Sequence, residues 1–370
     1  VRILLDYRPA LRERTGVGEY VHELARALVA SAPPGETLTL FSSSWRDRLD
    51  ASAVPGSRVV DRRIPVRLLN LAWHRLGWPP VERMAGSFDV VHSMHPLLIP
   101  SSDAAQVVTI HDLDFLDHPE RTAREVRRDY PALAPGHARR ADAVVVVSQY
   151  TANEVVRRLR VPPERLAICY PGAPDWPPRQ HEPAEGCVLF LGTLEPRKNL
   201  GVLLDAWESV LARHPHAPPL VLAGRVPDEG APIVARARQG PLAGRVELTG
   251  YVTDERKLEL YRRALVFVLP SHAEGFGLTA VEAMTCGVPV VVADRGALPE
   301  TVGTAGLLFD ADSARDLAAA LEAVLTSSAR RHEMREAGLR QAHRFRWTTT
   351  ASAVRQAWIA ALTRRRIARG

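Results

Sequence analysis

Lysine is almost missing from this sequence. Lys198 and Lys257 are the only two in 370 residues, and arginine supplies nearly all of the 48 basic side chains. That bias reads as a property of a GC-rich genome rather than of function. Cysteine is scarce too: Cys169, Cys187 and Cys286 are far apart, odd in number and without a CxxC pair. A disulfide framework and a zinc site are therefore excluded, and a reducing, cytoplasmic compartment is expected. No apolar run approaches the ~20 residues of a membrane span. Aromatics make up 6% of the chain and interleave with no basic tract, so nucleic acid is not an expected partner. The opening residues, Val1 to Asp6, are too short and too soon charged for a signal peptide, and they read as a first strand.

What is present is ordinary globular material, 46% hydrophobic and 24% charged, long enough for two domains. The formal charge of +6 favours anionic partners, such as phosphorylated ligands or acidic membrane surfaces. Short β-branched runs alternate with amphipathic stretches, the pattern of an α/β chain with doubly wound parallel sheets. Candidate strands are Ile3–Asp6, Leu38–Phe41, Asp89–His92, Val107–Ile110, Ala143–Val147 and Leu166–Cys169. A helix over Glu19–Ala30 would place Tyr20, Leu24, Ala27 and Leu28 on one face. Prolines 171, 174, 177 and 178 then interrupt the pattern, which reads as a linker. Strands resume at Cys187–Leu191, Leu220–Ala223, Arg245–Leu248, Leu265–Leu269 and Val288–Ala293. The expected division is residues 1–172, a linker 173–186, a second Rossmann-like domain 187–348, and a basic C-terminal helix 349–370. A ligand cleft is expected between the two domains.

Four segments could carry chemistry. Thr15-Gly16-Val17-Gly18-Glu19-Tyr20 follows the first strand and opens a helix, where glycine amides could meet an anion or simply form a turn. Gly192-Thr193-Leu194-Glu195-Pro196-Arg197-Lys198 follows the first strand of the second half. It puts a guanidinium fork and a point charge where α/β sheets bind ligands; a solvated charge pair is the plain alternative. In Glu274-Gly275-Phe276-Gly277-Leu278-Thr279-Ala280-Val281-Glu282, a loop with two glycines enters a helix between two carboxylates eight residues apart. Carboxylates can accept from sugar hydroxyls, or merely complement a helix dipole. His111-Asp112-Leu113-Asp114 has the spacing of a metal-binding DxD beside His118, but a polar loop without metal is the favoured reading.

Together these residues resemble the retaining GT-B glycosyltransferases of glycosyltransferase family 4. The likeness runs through Gly16–Tyr20, His111-Asp112, Val147-Ser148, Tyr170-Pro171-Gly172, Gly192–Asn199, Leu222-Ala223-Gly224 and Gly250-Tyr251-Val252. It is most specific in the E-x7-E element EGFGLTAVE and the Ala283–Val291 stretch behind it. Residues 111–120 are similar to the bacterial O-antigen mannosyltransferase subgroup. The resemblance implies a GT-B fold whose C-terminal helix returns to the N-terminal domain, with Phe345 and Trp347 marking the crossing. It also implies the site. Arg197 and Lys198, helped by Gly16, Gly18 and Gly192, would hold the donor diphosphate. Glu282 would take the ribose. Glu274, Gly275, Phe276, Gly277 and Leu278 would grip the sugar, and His111 and Asp112 would face the anomeric carbon and the acceptor.

The implied reaction is metal-independent retaining transfer of a hexose, mannose from GDP-mannose, to a saccharide or lipid-linked saccharide. Besides the nucleotide-sugar no cofactor is expected. A sugar-nucleotide 2-epimerase, a phosphorylase and a non-catalytic binding subunit are the rivals considered. An epimerase gives no reason for the EGFGLTAVE block, and a phosphorylase needs pyridoxal phosphate. As exposed cations, Arg197 and Lys198 should be dispensable for folding. Arg62-Arg63-Ile64-Pro65-Val66-Arg67 precedes Leu68–Trp78, a basic, Trp-containing stretch that either packs on the sheet or contacts acidic lipid. The acceptor and the oligomeric state are not legible.

Overall fold

The computed structural model describes residues 1–11, 14, 16–121 and 124–369; Thr15 of the first candidate segment lies outside them. The chain forms two compact units, Val1–Gly172 with Trp347–Gly370, and Ala173–Arg346.

The first unit is built on a seven-stranded parallel sheet in the order β3-β2-β1-β4-β5-β6-β7. Its strands are β1 (Arg2–Asp6), β2 (Thr37–Ser43), β3 (Arg58–Arg62), β4 (Val90–Ser93), β5 (Ala105–Ile110), β6 (Ala143–Val146) and β7 (Leu166–Ile168). The central strands are apolar almost throughout because helices cover both faces of the sheet. Under one half of one face Leu4, Phe41, Leu69, Trp73 and Val91 pack together. Under the other half of the same face Val108, Ile110, Ala134, Val144 and Val155 do so, the register running Leu4, Val91, Gln106 across the sheet. β3 was not expected from the sequence. Its residues, Arg-Val-Val-Asp-Arg, lie half-exposed at the sheet edge, where charges protect an unpaired strand and erase the apolar run.

The helix Trp347–Ile367 belongs to this unit and packs on the helix Val17–Ala30 and on β5, β6 and β7. Ala351, Val354, Trp358 and Ala361 form its buried stripe at helical spacing. The Trp358 indole N–H donates to Nδ1 of the fully buried His92 at 3.1 Å. Arg355 pairs with Glu36 at 2.8 Å. Phe345 packs on Phe276 in the second unit, and Trp347 packs on Tyr20 in the first.

The second unit carries a six-stranded parallel sheet in the order β10-β9-β8-β11-β12-β13. Its strands are β8 (Cys187–Leu191), β9 (Leu220–Ala223), β10 (Val246–Gly250), β11 (Ala264–Leu269), β12 (Val290–Ala293) and β13 (Leu307–Phe309). The three-residue edge strand β13 was also missed, being too short to show a pattern. Residues 173–186, expected as a linker, are built into this unit. The Arg179 N–H donates to Cys286 O at 3.1 Å, and its buried guanidinium donates to Ala264 O.

Replacing Trp358 by Phe should keep the packing but strand His92 Nδ1 without a donor. An unsatisfied buried acceptor costs ~1–3 kcal/mol. Chemical denaturation of Trp358→Phe should show a loss of that size.

Candidate active site

In the second unit the strand order reverses between β8 and β11, which are neighbours. Loops leaving the carboxyl ends of two such strands diverge and leave room for a ligand. The β8 loop carries Gly192 and then a short turn over Pro196–Lys198. The β11 loop carries Ser271 to Gly277 before the helix Leu278–Thr285. The two are tied together, since the His272 N–H donates to Arg197 O at 3.0 Å.

Glu274 sits where the loops meet. Lys198 Nζ is 2.5 Å from its Oε1, and Arg197 Nη1 is 3.3 Å from its Oε2. The Ser271 hydroxyl donates to Oε1 at 2.7 Å. Arg197 also donates to Ala273 O at 2.7 Å and pairs with Glu195 at 2.9 Å. Burial alone would raise the pKa of Glu274. The charges of Lys198 and Arg197, with hydrogen bonds from Lys198 and Ser271, outweigh it and hold the carboxyl at about 2.

The two cations are therefore not a solvated pair. Their side chains are only 21% and 12% exposed and both are engaged by Glu274. The expectation that they are dispensable for folding needs correcting for Lys198. Its loss should destabilise, by less than the ~3–5 kcal/mol of a fully orphaned buried charge, because Arg197 and Ser271 remain.

Gly277 has φ +92° and turns the chain into its helix, and a Cβ there would lie 2.6 Å from Leu298. The Phe276 ring is buried edge-on to Phe345 at 5.1 Å, so its side chain serves the core and only its backbone faces the loop. Leu278 is the first residue of the helix, where N–H groups lack intrahelical acceptors. Glu282 lies one turn further along, 3% exposed. Its Oε1 is 3.1 Å from Lys257 Nζ, and its Oε2 accepts from Tyr261 OH at 2.8 Å.

In the first unit the order reverses between β1 and β4. Asp6 at the end of β1 is fully buried, with Arg8 Nη2 2.7 Å and His95 Nε2 3.3 Å away. Burial would push its pKa up, but Arg8 and His95 hold it well below the usual carboxylate range. Arg8 also donates to Asn70 at 2.8 Å and lies over the Trp73 ring.

His111, just past β5, faces Met94 O through Nε2 at 3.3 Å and meets the edge of Tyr20. A carbonyl only accepts, so Nε2 carries the proton and Nδ1 is left as an acceptor. Burial, against a smaller opposing effect of Asp112, lowers the His111 pKa to about 4. Asp112 Oδ1 accepts from the Asp114 N–H at 3.2 Å, the local turn that starts the helix Asp114–Asp117. Asp117 is taken by Arg158 at 2.6 Å and His118 lies 3.2 Å from Glu120. Among the described residues no cluster of three or more His, Cys, Asp or Glu is arranged to hold a metal ion. Gly16 precedes the helix Val17–Ala30, and Gly18 is buried inside it. A Cβ on Gly18 would lie 2.8 Å from Pro9 O, so close backbone packing requires a glycine there.

Sequence reasoning singled out Arg197, Lys198, Glu274 and Glu282, which the structure places in two ion-paired groups, but not their partners Ser271, Lys257 and Tyr261, nor the buried group of Asp6, Arg8 and His95. Lys257 carried a signal, as the only other lysine.

Two doubly wound units of this form are the architecture of GT-B glycosyltransferases. The fold matches sucrose-phosphate synthase from Thermosynechococcus elongatus with a TM-score of 0.78 at 21% identity, over 96% of this chain and 97% of that one. Residues 14–175 match the model described as Glycosyltransferase Family 4, and residues 177–341 the model described as Glycosyl transferases group 1. The chain belongs to this glycosyltransferase family. It is 29% identical to O-antigen chain mannosyltransferase B of Escherichia coli, over 94% of this chain and 96% of that protein. It is 28% identical to the serotype-specific mannosyltransferase WbdA of Escherichia coli, over 74% of this chain but only 36% of that longer protein.

Histidine NMR should show His111 neutral at pH 7 and titrating only near its lowered pKa of about 4. An ordinary titration near pH 6.5 would contradict the burial argument.

Proposed function

We propose that this glycosyltransferase moves mannose from GDP-mannose to a hydroxyl of a saccharide or lipid-linked saccharide, with retention at the anomeric carbon and without a metal. The observation that carries the reading is the meeting of Arg197, Lys198 and Glu274 at the strand-order reversal of the second unit. The full-length match to an O-antigen mannosyltransferase supports the choice of sugar.

In the reaction the acceptor oxygen bonds to the anomeric carbon while the bond from that carbon to phosphate oxygen breaks. The bonding pair leaves on the diphosphate, and a donor phosphate oxygen takes the acceptor proton. Negative charge grows on the leaving group, and stabilising it is the main electrostatic task. Arg197 and Lys198 are the groups assigned to it. They are held in position beforehand by Glu274, so little reorganisation is needed during the reaction. Glu274 accepts from the sugar hydroxyls, with the Gly275, Phe276, Gly277 and Leu278 backbone around it. Glu282 accepts from the ribose. His111, as a neutral imidazole, and Asp112 are assigned to the acceptor side, together with the Asp6, Arg8 and His95 group at the adjoining strand ends.

The acceptor reading has a companion on the surface of the first unit. No acidic residue occurs between Asp61 and Glu82, while Arg62, Arg63, Arg67 and Arg75 are exposed there. Leu69 and Trp73 of this stretch are buried, yet Leu68 is 61%, Leu76 73% and Trp78 56% exposed. One face of the stretch packs on the sheet, and its exposed basic and apolar face supports reading it as a peripheral contact with acidic lipid. Among the described residues no helix is long and apolar enough to cross a membrane.

The test is turnover with GDP-mannose and an authentic acceptor. Arg197→Lys should lose the bidentate fork, and Lys198→Ala the point charge, each lowering turnover by about 10²–10³. Melting curves recorded alongside separate this from the stability loss expected for Lys198→Ala. Saturating EDTA should leave turnover intact, since protein cations rather than a metal neutralise the diphosphate. Near-normal turnover in both variants, or loss to EDTA restored by manganese, would overturn the reading.

A further inference from the structure

The chain's two lysines are each spent on one glutamate of the E-x7-E element: Lys198 on Glu274 and Lys257 on Glu282. The second pair is the less expected. Lys257 and Tyr261 stand one turn apart on the helix Asp254–Arg263, so their side chains share a face. That face meets Glu282. Lys257 Nζ lies 3.1 Å from Oε1, and Tyr261 OH donates to Oε2 at 2.8 Å. Tyr261 OH is also 3.1 Å from Thr279 O, but a hydroxyl has one proton and the nearer charged oxygen is the better acceptor.

Lys257 is itself held from two further directions. Asp254 Oδ1 is 3.2 Å from Nζ, and the half-buried Trp176 ring lies beneath Nζ at 5.3 Å. Trp176 in turn packs on Tyr261, with ring centroids 6.0 Å apart. The ammonium is thus fixed between an aromatic face and a carboxylate, at 11% side-chain exposure.

The geometry leaves the carboxylate half used. An ionised carboxylate offers about four acceptor sites, two on each oxygen. Lys257 takes one on Oε1 and Tyr261 one on Oε2, so each oxygen retains one. Two adjacent acceptors fixed in orientation match a pair of vicinal hydroxyls. We propose that Lys257 and Tyr261 are positioning residues that clamp Glu282 as a bidentate acceptor for the 2′,3′-diol of a ribonucleoside diphosphate. This rests on the reading of Glu282 as the ribose ligand. Lys257 does not touch the nucleotide, and the clamp acts only through the carboxylate.

The experiment is calorimetric binding of GDP and UDP, each in the ribo and the 2′,3′-dideoxy form, to the full chain. The wild type should prefer the ribo form by about ten- to hundredfold, the scale of hydrogen bonds to a charged group. Lys257→Met should bring that preference close to unity while leaving dideoxy binding unchanged. Lys257→Arg should restore part of it. Tyr261→Phe, which keeps the ring against Trp176, should also weaken it and serves as a second variant if Lys257→Met melts too low to assay. A variant that keeps the full ribo preference overturns the clamp. So does one that loses ribo and dideoxy binding equally, which would make Lys257 a phosphate attractor. A wild type indifferent to the diol overturns the ribose reading of Glu282 itself, and the clamp with it.

Discussion

A carboxylate taken out of water must be paired, and Glu274 is paired with Lys198 and Arg197. That one constraint organises the second unit's site. Lys198 and Arg197 cannot swing freely, because Glu274, Glu195 and the Ala273 carbonyl hold them. Glu274 in turn cannot protonate in any ordinary buffer, because the same cations hold its pKa at about 2. Its interaction with them is present above the unfolded carboxylate pKa and is lost only as the pH falls from there toward that lowered value. The cluster carries two formal positive and two formal negative charges, so it is neutral before a ligand arrives. On the proposed reading, an entering diphosphate would meet preorganised donors rather than a bare cationic patch.

The parallel sheets decide where this is possible. In both units the polar clusters lie at the carboxyl ends of strands at the point where strand order reverses: β8 and β11 in one, β1 and β4 in the other, with β5 beside β4. Apolar residues dominate the central strands, and polar groups gather at their carboxyl ends or just beyond. Asp6 follows Leu5, His111 follows Ile110, and Ser271 comes two residues after Leu269. The core thus stops where the site starts, and the strands that supply stability also aim the loops.

The same abruptness explains what could be read from sequence. Central strands announced themselves as near-continuous apolar runs, and loops carrying Arg197, Lys198 and Glu274 stood out because they came just after them. Edge strands did not: Arg58–Arg62 is charged at both ends, and Leu307–Phe309 has three residues. Pairings across the fold were invisible for another reason. Lys257 and Glu282 are 25 residues apart, and Arg8 and His95 are 87 apart, so no local periodicity links them. The proline-rich segment misled in a specific way. Prolines forbid regular structure but not docking, and Arg179 anchors that segment to the second unit. At Gly18 the carbonyl of Pro9 leaves no room for a Cβ, a packing constraint that the sequence could not show.

The central claim is that Arg197 and Lys198, held by Glu274, recognise a diphosphate. Calorimetric titration of the wild type and of Arg197→Lys with GDP and with GMP tests it most directly. The account predicts that the wild type binds the diphosphate much more tightly than the monophosphate, and that Arg197→Lys loses most of that difference while keeping its affinity for GMP. Equal affinities for GDP and GMP in the wild type would contradict it.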